Sequence, residues 1–406
     1  MFKLYTILFL FSGQTYLFVR LRKYISNQNI FPTWSQKLLI AVFLVFNIPL
    51  LFLYFYIWNL SQFSPIVLTL LTPFFIWHLS TLFIFMVLGS AALIMLPFKV
   101  SMKIVTVHPT VKFKVNRMKE STRFKQFDVS RRSFLQKGVI GLSAYSFVGA
   151  TAGAVSSGEY EIIHKTITIS NLPEEFKGFT IGMMSDIHSS IFMNKEDMDE
   201  YVRAMNELET DLIVVTGDFV NSKTEEVYPF TEAFSNLKAQ YGIYGCLGNH
   251  DYFAKDVELV AKEVDDCGIK LLRNDAVQIQ KGNSYFNLVG VDDIGRNVDP
   301  NDYMNKALAF AKNDRPKIML CHKPYYFHNA KNLGVDLTLS GHTHGGQIVF
   351  GTIDQTPISL ASLASKYISG LYSLDQSNLY VNNGIGFTGI PIRINCPAEL
   401  TVITLA

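Results

Sequence analysis

The sequence predicts an α/β fold carried behind a helical membrane region. Beyond residue 160, apolar runs of strand length alternate with stretches whose apolar residues recur at helical spacing. Before residue 100, long apolar runs carry almost no charge. The short runs end on Asp, His or Asn, the layout expected of a site at the carboxyl edge of a sheet.

Residues 1–98 hold three apolar runs, at 4–19, 38–58 and 65–98. A membrane-spanning helix needs about 20 apolar residues, so the region predicts about three spans. The third run has the length of one tilted helix, or of a helix broken near Pro73. Arg20, Arg22, Lys23 and Lys37 follow the first run, whereas the turn at Ser61, Gln62, Phe63 and Ser64 holds no charge. Residues 99–137 then carry eleven Lys or Arg against Glu120 and Asp128. Positive charge stays inside, so the first loop and this basic linker are expected in the cytoplasm. A basic arm for nucleic acid is the other reading, but its place beside a span favours the inner leaflet.

Ser130-Arg131-Arg132-Ser133-Phe134-Leu135-Gln136-Lys137 resembles a twin-arginine export signal, and a fourth apolar segment of small residues follows at 138–156. A plain fourth anchor with a basic flank is the alternative. Both send the following chain outward, giving an integral membrane protein whose domain behind this segment is expected on the extracytoplasmic side. Ala150-Thr151-Ala152 offers a cleavage site.

The soluble domain is expected over 160–406. Strands are predicted at 162–169, 179–184, 212–215, 243–247, 317–321 and 335–339, with helices at 195–208, 227–237 and 302–312. Short strands are expected between 270 and 291. No internal repeat or low-complexity tract interrupts the pattern.

At the strand ends stand Asp186-Ile187-His188, Gly217-Asp218, Gly248-Asn249-His250-Asp251, His322 and Gly341-His342-Thr343-His344-Gly345-Gly346-Gln347. One Asp-x-His means little, and two histidines on a glycine loop are commonly just solvated. Five blocks in this order are hard to explain as accident. In both content and order they resemble the calcineurin-like metallophosphoesterases. The tail from Leu379 through Pro391-Ile392-Arg393 to Pro397-Ala398-Glu399-Leu400 is similar to the bacterial membrane-associated or twin-arginine-exported phosphodiesterase branch. The resemblance covers about 160–406 and implies a four-layer αββα sandwich.

A nitrogen and oxygen donor set suits a pair of divalent transition metals, with Mn, Fe, Zn and Ni all eligible. Two such ions about 4 Å apart need a shared carboxylate, for which Asp218 is the natural bridge. Asp186, His188 and His344 would complete one site; Asn249, His322 and His342 the other. The family pattern implies the same allotment, with His250 donating a proton to the leaving oxygen and Asp251 holding its ring. The implied reaction is attack of a metal-bridging hydroxide on a phosphodiester, phosphomonoester or pyrophosphate. Membrane anchoring points to a lipid-linked or nucleotide-sugar substrate, with membrane lipids as neighbours. The competing reading is a membrane scaffold or sensor with a vestigial phosphoesterase domain.

A net charge of +2 gives no reason to expect nucleic acid as a partner. Cys246, Cys267, Cys321 and Cys396 are too scattered for a zinc cluster and read as buried free thiols more readily than as a disulfide. A histidine in a membrane run, such as His78, is more often hydrogen-bonded to a neighbouring helix than functional, and no role is assigned to it. His108, before Pro109 in the basic segment, is expected at the surface, and His164 and His328 lack partners in the pattern. Arg393 suits a substrate phosphate or an ion pair with Glu399.

Overall fold

The computed structural model describes residues 2–27, 32–56, 65–295, 297–312, 314–353 and 356–406. The uncharged turn expected at residues 61–64 lies outside them. The chain divides into two compact units, Met1–Ala152 and Gly153–Ala406.

The first unit is built from helices α1 (Phe2–Ser26), α2 (Trp34–Tyr56), α3 (Pro65–Val105), α4 (Pro109–Glu120) and α5 (Thr122–Val155). Two stretches, Leu70–Val105 and Thr122–Val155, are long and apolar enough to cross a membrane; Trp34–Ile48 is apolar but shorter. One of the three spans expected before residue 98 is therefore met in full among the described residues. Pro73 and Pro97 lie inside α3 without breaking it. In an apolar surround a freed carbonyl has no water to turn to, so the rest of the ladder keeps its bonds. His78 Nε2 bonds the Phe46 carbonyl oxygen of α2 at 2.8 Å, and Phe46 stacks on Trp77 at 4.5 Å. The basic stretch 99–137 is helical throughout most of its length rather than an open linker. Arg131 and Arg132 sit within α5, both paired with Asp128 at 2.6 and 2.7 Å.

The second unit opens with β1 (Tyr160–Ile167), β2 (Thr180–Met184), α6 (Lys195–Glu207), β3 (Leu212–Val215), α7 (Val227–Phe234), β4 (Ile243–Gly245), α8 (Val257–Asp266) and β5 (Lys270–Leu271). It continues through β6 (Asp275–Lys281), β7 (Ser284–Gly290), α9 (Pro300–Leu308), β8 (Lys317–Leu320), α10 (Phe327–Asn332) and β9 (Leu337–Ser340). A short hairpin, β10 (Thr352–Ile353) and β11 (Thr356–Pro357), precedes β12 (Gly370–Leu374), β13 (Ser377–Val381) and β14 (Ala398–Leu405). Local chemistry sets the helix starts. Asn194 and Asp197 form a reciprocal capping box on α6. Asp299 accepts from Asn301 N at 2.9 Å ahead of Pro300, so α9 begins two residues before the start expected from spacing.

The strands form two six-stranded sheets, in the orders β1-β14-β2-β3-β4-β5 and β12-β13-β9-β8-β7-β6. In the first, β2, β3, β4 and β5 run parallel; in the second, β7, β8, β9 and β13 do. Strand alternation sorts the side chains into three cores. Ile181, Met183, Leu212 and Val214 meet Leu288, Ile318, Leu320 and Leu337 between the sheets. Their neighbours Met184, Ile213 and Val215 face outward onto Met205, Phe230 and Val260 of α6, α7 and α8. Val289 and Met319 face the other way, onto Met304 of α9 and Ala330 of α10. The result is the expected αββα sandwich, with β3, β8 and β9 buried on both faces.

Candidate metal centre

The expected site residues come together, though from two sheets rather than along one edge. The ends of β2, β3 and β4 deliver Asp186 and His188, Asp218, and Asn249 and His250. The facing sheet delivers His322 after β8, and His342 and His344 after β9. Five of these residues hold a left-handed backbone: Asp186 (φ 50°), His188 (48°), Asp218 (55°), His342 (72°) and His344 (52°). Such φ values cost on the order of 1–3 kcal/mol each and survive only where the surroundings impose them. Here Asp186 N donates to the Gly217 carbonyl at 3.0 Å and His188 N to the Asp218 carbonyl at 2.9 Å. Gly248 permits the close approach, since a Cβ there would lie 2.5 Å from Asp218 N.

Asp218 is the hub. Its Oδ2 stands 3.2 Å from His322 Nε2 and 3.4 Å from His188 Nε2, while Oδ1 accepts from His250 N at 2.7 Å. His344 Nε2 lies 3.3 Å from Asp186 Oδ1 and 3.0 Å from His188 Nε2. Asp186, His188 and His344 bring ligand atoms within 4.8 Å of one another, as do Asp218, His322 and His342. A third trio, His188, Asp218 and His250, joins the two groups.

The rings are aimed by what holds their other nitrogen. His322 Nδ1 meets the Thr216 carbonyl oxygen at 2.7 Å, and His188 Nδ1 meets Asn221 Oδ1 at 3.3 Å. His250 Nδ1 meets the Asn221 carbonyl oxygen at 2.6 Å. An acceptor at Nδ1 fixes the proton there and leaves the Nε2 lone pair facing the cluster. Asn221 therefore orients two histidines at once. Sequence reasoning passed over it; its position three residues beyond Asp218 was the available signal.

Two expectations are corrected. Asp251 does not hold the His250 ring. Its Oδ1 accepts from Phe219 N and Val220 N at 2.8 and 3.1 Å, and its Oδ2 from Gly248 N and Asp218 N at 2.8 and 3.1 Å. Fully buried, it clamps the loop that carries Asp218. Arg393 neither pairs with Glu399 nor faces the site: it is buried and donates to the carbonyls of Asn383, Gly384, Gly386 and Cys396 at 2.6–3.3 Å. Glu399 instead accepts from Tyr380 and Thr401 hydroxyls. The cysteines are free, as expected.

The donor set fits divalent cations. Asn249 Oδ1 is buried and finds no hydrogen-bond partner among the described residues, which is costly unless a cation takes the lone pair. Burial pushes the His188 and His342 rings down to about 3 and His344 well below its usual range, which favours their neutral forms. Burial likewise pushes the Asp186 carboxyl up to about 6. His322 goes the other way: burial opposes its charge, but the Asp218 carboxylate beside it outweighs that and holds the ring up to about 10. Imidazoles and two carboxylates converging within a few ångströms, with the orphaned Asn249 amide oxygen, make a nitrogen and oxygen site that suits divalent cations.

Comparison with known proteins agrees. The calcineurin-like phosphoesterase family model matches residues 179–346, the stretch that holds all seven donors. A metallophosphoesterase of Helicobacter pylori is 31% identical over 284 residues, covering 68% of this chain and 71% of that one. The YkuE metallophosphoesterase of Bacillus subtilis is 31% identical over 289 residues, covering 68% and 98%. A Danio rerio transmembrane protein with metallophosphoesterase domain is 30% identical over 259 residues, covering 60% of this chain; the match spans only 57% of the zebrafish protein. The chain belongs to the calcineurin-like metallophosphoesterases, hydrolases of phosphoric esters.

Proposed function

We propose that the chain is a membrane-anchored phosphoesterase using two divalent cations. The supporting observation is the meeting of Asp186, His188, His322, His342 and His344 around Asp218 from four strand ends, with the orphaned Asn249 amide following a fifth. In this reading Asp218 bridges, Asp186, His188 and His344 complete one position, and Asn249, His322 and His342 the other. Bound ions there supply Lewis acidity toward phosphoryl oxygens and lower the pKa of the water between them.

The chain's own groups do the rest. Thr216 and Asn221 fix the tautomers of His322, His188 and His250. The His250 ring packs edge-on against His188 at 4.4 Å, beside the cluster but outside the two donor trios assigned to the ions. With Nδ1–H held by the Asn221 carbonyl, Nε2 is the atom left to act, and it gives a proton to the leaving oxygen from the doubly protonated ring, which then returns to the Nδ1–H tautomer. With only two carboxylates among the seven donors, two divalent cations would leave the site with a positive balance, which suits an anionic ester. The substrate is a phosphodiester, phosphomonoester or pyrophosphate, and the anchor favours one whose leaving or retained group is a lipid or nucleotide sugar. The eleven basic residues of 99–137 support cytoplasmic placement of that segment and outward placement of the domain behind α5. The Danio rerio relative's name supports the membrane assignment. The twin-arginine-like motif supports export by that route.

The test uses the full chain in detergent, with bound metal quantified and hydrolysis of a bis-aryl phosphodiester and an aryl monoester followed in Mn²⁺. About two metals per chain are expected, with activity abolished in Asp218→Ala. His250→Ala should keep its metal while turnover falls by roughly 10²–10⁴. A folded wild-type chain that binds no metal and cleaves neither ester would sink the proposal and favour the scaffold reading.

A further inference from the structure

One segment of the second unit carries an unusual surface. Phe350, Ile353, Ile358, Leu360 and Leu363 are 37%, 64%, 42%, 65% and 87% exposed. These five large apolar side chains fall within fourteen residues, 350 to 363. Among the described residues beyond Tyr160, no other stretch of that length has more than two. Between Phe350 and Ser365 the sole charged residue is Asp354. Scattered exposed leucines need no explanation, but five exposed large apolar residues gathered on and beside one short hairpin mark a contact surface.

The segment is firmly built. Phe350 N donates to the Ile358 carbonyl at 2.9 Å and Ile358 N to the Gly351 carbonyl at 2.8 Å, closing the β10–β11 hairpin. Ser362 Oγ donates to the Pro357 carbonyl at 2.7 Å and accepts from Ser359 N at 3.1 Å, shaping the turn that carries Leu360 and Leu363. The hairpin base also packs on the metal-site loop. A Cβ on Gly346 would lie 2.6 Å from Ser359 Cβ, and Gly346 is two residues from His344. The apolar surface thus belongs to the rim of the site.

We propose that this hairpin docks into a lipid bilayer, its five apolar side chains entering the interface and holding the metal centre at headgroup level. Two observations favour a bilayer over a protein partner. The patch is aliphatic with one phenylalanine and lacks the Tyr, Trp and Arg that enrich protein interfaces, whereas Leu, Ile and Phe suit the acyl boundary. The chain also brings its own membrane segment: residues 156–159 alone separate the apolar helix α5 from β1, so a bilayer that holds α5 is within reach. With no basic residue in the patch, binding is apolar rather than electrostatic. The inference rests on surface and tether and stands apart from the reaction assigned to the site.

The test places a fluorophore at Leu363→Cys in the full chain, reconstituted in phosphatidylcholine vesicles. Phe310→Cys, 63% exposed on the same unit, is the control. Leu360→Cys repeats the measurement, and the unmodified chain gives the background from the native cysteines, three of which are buried. Lipids with spin labels on their acyl chains should quench emission at 363 and 360 at least twofold and leave 310 unchanged, with aqueous iodide giving the reverse. Iodide reaching 363 as freely as 310 overturns the proposal. So does equal lipid quenching at all positions. Shielding of 363 from both quenchers also overturns it, because a second protein chain then covers the patch.

Discussion

Replacing Asp251 distinguishes a clamp from a catalytic partner of His250. The carboxylate accepts four backbone N–H groups, from Gly248, Asp218, Phe219 and Val220, at 2.8–3.1 Å. Asp251→Ala leaves all four buried donors without an acceptor. At about 1–3 kcal/mol each, the low end of the sum is about 4 kcal/mol, a large part of the roughly 5–15 kcal/mol that stabilises a domain. Asp251→Asn keeps one oxygen and turns an NH2 toward two donors, so the loss is about half, near 2 kcal/mol. For a unit of this size that corresponds to about 4–8 °C in melting temperature. Calorimetry of the full chain is the suitable assay, because Trp34, Trp58 and Trp77 all lie in the first unit and tryptophan emission would miss the second. Metal content should fall along with melting temperature, since the clamped loop carries Asp218. If Asp251→Asn melts within about 2 °C of wild type, keeps its metal and yet loses turnover as His250→Ala does, the clamp argument is wrong and Asp251 acts through the ring.

Gly248→Ala drives a methyl group against Asp218, 2.5 Å from its backbone nitrogen, so bound metal should drop by at least half at an overpacking cost of about 1–3 kcal/mol. Atomic absorption on the folded variant checks this. Arg393→Ala should lower the melting temperature by a loss of about 3 kcal/mol or more, since its charged hydrogen bonds hold four carbonyls. The KM of the residual activity should stay at the wild-type value; a phosphate-binding arginine would raise KM instead. In a chelator, stability should fall as pH drops from 6.5 toward 3. His188 and His342, pushed down to about 3 by burial, are neutral when folded and charge on unfolding across that window. Asp186 and Asp251, pushed up to about 6 and about 8 by burial, oppose this above about pH 4. His344, held well below its usual range by burial, joins the two rings and makes three groups against two. A metal-free chain that melts higher at pH 4.5 than at pH 6.5 would contradict the sign.

By itself the sequence determined the α/β alternation and the order in which Asp, His and Asn stand at five strand ends, with His250 beside them. Strand and helix periods are local, and Asp, His or Asn at the end of a buried run has few other uses. It also determined the apolar character of the first unit. Only the tertiary structure decided that the five strand ends belong to two facing sheets, because sheet partition depends on pairings far apart in the chain. Side-chain direction was equally hidden. Asp251 follows His250, yet its carboxylate turns back to the loop of Asp218; Arg393 and Glu399 are six residues apart and do not pair. Asn221, Thr216 and the hairpin at Ser359 gain their roles from backbone carbonyls and close contacts that no spacing encodes. Residue types settle what chemistry a site can hold, whereas left-handed turns at Asp186, His188, Asp218, His342 and His344 settle where each donor points, and those dihedrals are imposed by packing around them.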